Sequence, residues 1–353
     1  MKVLYNMNST AFQTRMFGGA GVQFLKTYEY VKKAGVDAKK FDMHTDKLEN
    51  FDVFHNFEMN RDTWNIFSMA KEEGMGLAVS SVYWPPVNVF KSDEKMKDLG
   101  KLIFEKFANF WPSQFNPFFI AYPYKGFLNK ADIILPNSLM EARTIAKRFG
   151  IPIKKFHVVP NGVDKKFINA KPDLFIKKYK MRDFVLFVGR IDPRKNILRM
   201  IRAVKKLKLK TVIIGHTSPK LQYYLEMCKK EAEGADIHFL GSFPAESEIL
   251  MSAYAAAKTF VLPSWFETPG LVALEAGLAG CNVAISSGGS TTEYFDKYAE
   301  YCDPSDQTSI ERAIENAHKK YKNNSLKNHI LKNFTWEIVA KRTIEAYKKT
   351  AYI

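Results

Sequence analysis

The feature that most constrains this chain is a repeated alternation. A short apolar run is followed by a glycine or polar turn, and then by an amphipathic helical stretch. In the first half strand-like runs fall at residues 3–5, 39–41, 53–54, 77–82 and 133–135. Gly18, Gly19 and Gly21 lie after the first run, ahead of a helical pattern over about 22–33. Asn137-Ser138 caps a second helical run that ends near Phe149. The second half repeats the plan at 184–188, 211–214, 239–241, 259–262 and 282–285, with Gly189, Gly215 and Gly241 closing the first three. Ile197, Ile201 and Val204 share a helix face, and 335–347 forms a last amphipathic helix. Strand and helix in strict alternation predict parallel sheets covered on both faces. The expected fold class is α/β, with two doubly wound, Rossmann-like domains facing across a cleft. Ligands of such sheets sit at the carboxyl ends of the strands.

Size and charge agree with two soluble domains. The chain has 353 residues, 46% of them hydrophobic and 25% charged, which excludes a disordered or fibrous chain. No apolar run is long enough to span a bilayer, and the first residues lack the apolar stretch of a secretory signal. A cytoplasmic protein is expected. Cys228, Cys281 and Cys302 are odd in number and lack C-x-x-C spacing, which argues against a zinc knuckle or disulfide framework. The net charge of +16 is spread over both halves, with basic runs at 165–182 and 193–225, the latter free of acids. An anionic partner follows: nucleic acid, lipid headgroups or a phosphorylated small molecule.

Three segments carry chemistry. Gly18-Gly19-Ala20-Gly21 can bring backbone amides close to an anion at a helix start, but Phe24 replaces the last glycine of a dinucleotide fingerprint. Gly189-Arg190 ends a strand and Lys195 follows at the next helix start, an arrangement suited to clamping a diphosphate. The third is the run from Pro263 to Gly277. It places Glu267 in a loop, Pro269-Gly270 at a helix start and Glu275 among Ala, Gly and Leu. A carboxylate in so apolar a helix needs partners, and sugar or ribose hydroxyls suit it. The amides of Gly270 and Leu271 suit a phosphate.

Together these segments resemble a family 4 glycosyltransferase of the GT-B architecture. Phe187-Val188-Gly189-Arg190 with Arg194-Lys195-Asn196 is similar to that family's donor clamp. Glu267 and Glu275 around Pro269-Gly270 resemble its paired-glutamate motif. Val159-Pro160-Asn161-Gly162-Val163-Asp164 resembles the segment before the interdomain linker, and Trp336-Glu337 the start of the last helix. The resemblance implies an acceptor-side domain over 1–170 and a donor-binding domain over 171–334, with the helix at about 335–353 joining the first. It implies a retaining transfer from a nucleotide-diphosphate sugar to a glycan, a lipid-linked acceptor or another hydroxyl, as in polysaccharide biosynthesis. Arg190 and Lys195 would hold the diphosphate, Glu267 the donor sugar, Glu275 the ribose, and Gly270 and Leu271 a phosphate or sugar. Gly18 and Gly19 would lie by the diphosphate and acceptor. No cofactor or divalent metal is implied, and the sequence contains no D-x-D. Many members carry a His after the strand at 77–82; here Tyr83-Trp84 stands there, and His55 follows an earlier strand.

An aromatic stretch from Phe107 to Phe127, preceded by Lys95, Lys97, Lys101 and Lys106, is expected to be core, an acceptor groove or a contact with an anionic membrane. The protein would then be peripheral at the inner face of the membrane. The second functional reading is a nucleotide-sugar binding protein with little or no transferase activity. The broken glycine fingerprint argues against a nicotinamide dehydrogenase, and the lack of a recognisable module argues against nucleic acid as partner.

Overall fold

Buried apolar tetrads such as Val185–Val188 (VLFV) and Thr259–Leu262 (TFVL) have no wet face, so they can only be central strands of a sheet covered on both sides. The computed structural model describes residues 1–7, 18–83 and 117–350. Its chain forms two units. The first is built from the described residues up to Gly162 together with Trp336 onwards, and the second from Val163–Thr335. The chain thus crosses at Gly162–Val163, ahead of the Lys-rich stretch in which the sequence suggests a boundary. The reason is that Val163 and Phe167 are already buried in the second core.

In the first unit the strands are β1 (Lys2–Met7), β2 (Asp37–Lys40), β3 (Val53–Phe57), β4 (Gly76–Ser80) and β5 (Ile133–Ile134). They lie in the order β2-β1-β3-β4-β5, all parallel. The second unit has β6 (Val185–Val188), β7 (Thr211–Ile214), β8 (Ile237–Phe239), β9 (Thr259–Leu262), β10 (Asn282–Ser286) and β11 (Glu300–Cys302). Their order is β11-β10-β9-β6-β7-β8, again parallel. Each sheet therefore has one point where the chain reverses its direction of growth: between β1 and β3, and between β6 and β9. Strand ends diverge there, leaving a crevice for a ligand.

The strand β11 was not visible in the sequence. It is a three-residue edge strand on which Glu300 and Tyr301 are only half-buried, so it lacks the apolar run that marks the central strands. The three cysteines are buried free thiols. The acid-free run at 193–225 is matched by acids from elsewhere in the unit. Arg202 pairs with Glu231, Lys206 with Glu311 and Lys210 with Asp236. The aromatic stretch lies mostly outside the described residues. Of its end, Phe127 is buried in the first core and Tyr124 packs against it.

The last helix, Trp336–Thr350, buries Trp336, Val339, Ala340 and Tyr347 in the core of the first unit. A buried polar chain holds it. Tyr347 donates its hydroxyl proton to Tyr5 Oη at 2.5 Å, and its oxygen lies 2.6 Å from His55 Nδ1. His55 Nε2 is 2.9 Å from Ser80 Oγ. A neutral His55 satisfies all of these, donating from Nδ1 and accepting at Nε2. Burial drives its pKa down to about 3, so it stays neutral. His55 is thus a satisfied core group of the first unit.

This burial has a sign. The unfolded chain takes up a proton on His55 below its ordinary pKa of 6.5, whereas the folded chain resists until about 3. Stability is therefore lost as pH falls through that window. The loss from this one group is about 2 kcal/mol between pH 7 and pH 5. Urea midpoints at the two pH values should show it, and His55→Phe should reduce the difference. An undiminished difference in that variant would remove His55 as the cause.

Candidate active site

The loops leaving β6 and β9, at the reversal point of the second sheet, carry the charged residues. After β6 the chain turns through Gly189 and Arg190. Asp192 then caps a short 3-10 turn, Pro193–Lys195, by accepting from Lys195 N at 3.1 Å. Asn196 takes a left-handed conformation (φ 58°), and its side-chain amide donates to Pro263 O at 3.1 Å and Pro304 O at 2.9 Å. That residue fastens the β6 loop to the loops after β9 and β11. With its backbone so fixed, Lys195 points into protein and is only 8% exposed.

Lys195 Nζ donates to Glu267 Oε1 at 2.5 Å. Arg194 Nη1 is 3.6 Å from the same carboxylate oxygen and donates to Phe266 O at 3.2 Å. Burial alone would push the Glu267 carboxyl up. The Lys195 ammonium and the Arg194 guanidinium outweigh it and hold the carboxyl below its usual range. Lys195 moves down from the ordinary lysine range, with burial the larger influence and Glu267 opposing it. Arg190 is different. Its side chain is 46% exposed, with Asp192 at 3.8 Å, so a charge-bearing fork faces solvent at the strand end.

The Glu267 loop is braced by backbone. Glu267 N donates to Gly288 O at 3.1 Å, and Ser290 N donates to Glu267 O at 3.0 Å. Gly289 has φ 99°, and a Cβ there would fall 2.1 Å from Glu267 O. Only glycine allows this approach. Beyond Glu267, Gly270 (φ 84°) precedes the helix Leu271–Leu278, whose start has no side-chain cap. Among the described residues no side chain caps its first amides, an arrangement suited to an anion. Glu275, half-buried in that helix, accepts a hydrogen bond from Tyr254 Oη at 2.8 Å.

The second unit thus places Arg190, Lys195, Glu267, Gly270, Leu271 and Glu275 on the loops and helix that follow β6 and β9. The remaining expected residues belong to the first unit. Gly18 precedes the helix Gly19–Lys33, which follows β1 in the chain and likewise has no side-chain cap. Tyr83 is buried edge-to-face against Tyr124 and Phe149, with its backbone N–H donating to Glu141. Sequence reasoning missed Asp192, Tyr254 and the Gly288-Gly289 brace. Only the double glycine after an apolar run left a signal.

Comparison with known proteins bears on this arrangement. Residues 173–333 match the family model described as Glycosyl transferases group 1. The matched stretch lies within the second unit and spans most of it. Over 238 residues the chain is 28% identical to an uncharacterized glycosyltransferase of Methanocaldococcus jannaschii, covering 61% of this chain and 59% of that one. It is 27% identical to O-antigen chain mannosyltransferase B of Escherichia coli, covering 63% and 61%. The chain therefore spans about three fifths of the length of these curated relatives. Among solved structures, sucrose-phosphate synthase from Thermosynechococcus elongatus superposes with a TM-score of 0.75 at 16% identity, over 99% of this chain and 98% of that one. Anabaena HepE in complex with UDP and glucose gives 0.69 at 14% identity, over 98% of each. These likenesses show the fold: two parallel-sheet, Rossmann-like units of the GT-B kind.

Gly289→Ala should displace the Glu267 loop, because the new methyl meets backbone that cannot swing away. We expect a lower melting temperature and loss of nucleotide binding, read by thermal shift with and without nucleoside diphosphate. Unchanged binding would show that the brace does not position Glu267.

Proposed function

We propose that this protein is a glycosyltransferase that moves a sugar from a nucleotide-diphosphate donor to a hydroxyl acceptor. The observation that carries the reading is the buried Lys195–Glu267 pair at the reversal point of the second sheet, with Arg190 exposed on the adjoining loop. Transfer breaks the bond between the sugar's anomeric carbon and the diphosphate oxygen, and negative charge develops on the leaving group. Arg190 and Lys195 are the cations that meet it, together with the amides at Gly270 and Leu271. Fixed charges in a partly dry site stabilise such a transition state without reorganising. Glu267, kept ionised by its two cations, faces the donor sugar, and Glu275, steadied by Tyr254, takes the ribose hydroxyls.

The same reading extends to a retaining, metal-independent reaction of the family 4 type, in which protein cations rather than a bound metal neutralise the diphosphate. The acceptor is a glycan or a lipid-linked saccharide. That view is supported by relatives such as the O-antigen mannosyltransferase and the Campylobacter jejuni N-acetylgalactosaminyltransferase, whose name places a diphospho-undecaprenol in its acceptor. A peripheral position at the cytoplasmic face of a membrane fits such an acceptor. No described helix is long and apolar enough to cross one.

Arg190→Ala and Glu275→Ala should each lower kcat/KM at least tenfold, about 1.4 kcal/mol or more of transition-state binding. Near-normal turnover in both, with the fold intact by circular dichroism, would overturn the site. Donor hydrolysis or transfer should persist in EDTA. Binding of UDP-, GDP- or ADP-sugars without any turnover would instead favour a nucleotide-sugar binding protein.

A further inference from the structure

At the carboxyl end of β3 the backbone does something costly. Glu58 adopts φ 63°, a left-handed conformation that costs a residue with a Cβ about 1–2 kcal/mol. The surroundings enforce it. Glu58 N donates to Ser80 O at 3.0 Å, and Asn56 Nδ2 donates to Glu58 O at 2.7 Å. The same Asn56 amide lies 3.2 Å from Thr63 Oγ1, and Asn56 Oδ1 accepts from Asn6 Nδ2 at 2.8 Å. Asn6, Asn56 and Thr63 are all buried. Three buried polar side chains thus hold one turn, and strain over-determined in this way concentrates where a side chain must be aimed.

The Glu58 turn stands at the carboxyl end of β3, one of the two strands between which the first sheet reverses. The side chain is half-buried, and burial raises its pKa. Among the described residues the carboxyl has no hydrogen-bond or ion-pair partner. A partly desolvated carboxyl without a partner is unfavourable unless a ligand supplies one. Tyr124 stands close by: its phenol is pushed up by burial first, and then by the Glu58 carboxylate. Tyr124 packs edge-to-face on Tyr83 with ring centroids 5.8 Å apart. A two-oxygen acceptor beside an aromatic wall suits a saccharide, which offers hydroxyl donors along its rim and C–H groups on its face.

We propose that Glu58 accepts a hydrogen bond from a hydroxyl of the acceptor saccharide, with Tyr124 flanking that ring. This rests on the glycosyl-transfer reading and assigns the acceptor to named residues of the first unit. Glu58→Gly is the sharp test, because glycine tolerates the left-handed backbone. If Glu58 served only the fold, its loss would lower the melting temperature. As an acceptor ligand it should leave that temperature equal or higher and raise the acceptor KM by about tenfold or more, with donor KM and donor hydrolysis unchanged. The acceptors are octyl glycosides of glucose, mannose, galactose and N-acetylglucosamine. Their binding is also read by saturation-transfer NMR, which needs no turnover. The wild type should give a signal that Glu58→Gly loses. An unchanged acceptor KM, or no wild-type signal with any glycoside, would overturn the assignment while leaving donor chemistry intact. A wild type that neither binds nor turns over any nucleotide sugar would overturn the underlying reading itself.

Discussion

The second unit depends on a pair of charges held almost out of water, Lys195 and Glu267. Desolvating two ions costs several kcal/mol each, and only a short, well-supported contact offsets it. Each neighbouring feature supplies that support. Asp192 fixes the turn from which Lys195 projects, and Asn196 ties that turn to the carbonyls of Pro263 and Pro304. Arg194 adds a second cation, and the Gly288-Gly289 backbone holds Glu267 from behind. Loops from four separate strands therefore form one assembly. Removing either charge would strand the other, a loss of about 3–5 kcal/mol. Such a pair is poor as a stabilising device. In the proposed reaction its value lies in presenting an ammonium whose attraction can be shared with an arriving diphosphate.

Sheet order explains why the assembly sits where it does. In β11-β10-β9-β6-β7-β8 the chain builds outward from β6 in one direction and then returns to build from β9 in the other. The two loops leaving these strands must diverge, so the charged residues line a gap that the sheet itself opens. The first unit obeys the same rule with the order β2-β1-β3-β4-β5, but the residues at its gap are of another kind. Asn6, Asn56 and Thr63 form a neutral network there, and the only charge they position is Glu58. Under the proposed reading, the cations of one unit suit a donor phosphate, and a carboxyl near an aromatic ring in the other suits a hydroxyl acceptor.

What could be read from sequence follows the same physics. The strands Thr211–Ile214 and Thr259–Leu262 match the expected runs residue for residue, because complete burial admits only apolar side chains and a threonine whose hydroxyl is hydrogen-bonded. The edge strand Glu300–Cys302 escaped because half-burial leaves a mixed composition. Glu267 and Glu275 were legible as carboxylates in apolar surroundings, an anomaly any reader of the chain can see. Tyr254 was not. A tyrosine in an apolar helix looks like core, and only the fold brings its hydroxyl to Glu275, 21 residues away in sequence. Asp192 and Gly289 act through backbone geometry, which composition does not encode. His55 looked like a candidate because an isolated histidine after a strand is ambiguous. Its burial between Tyr347 and Ser80 resolves the ambiguity.

The net charge of +16 illustrates the difference between a charge in sequence and a charge in space. The acid-free run at 193–225 reads as one basic surface, yet it folds into a helix and strand whose neighbours bring Glu231, Asp236 and Glu311 to its lysines and arginines. Exposed pairs of this kind contribute little stability, about 0–1 kcal/mol each. Their effect is to cancel field that would otherwise attract any polyanion without discrimination. Arg190 is held differently. Its carboxylate neighbour, Asp192, is drawn the other way by its bond to the Lys195 amide, and the guanidinium stays half-exposed at the strand end. Three of the outlying cations are neutralised in this way, whereas the Arg190 guanidinium stays half-exposed where the strands part.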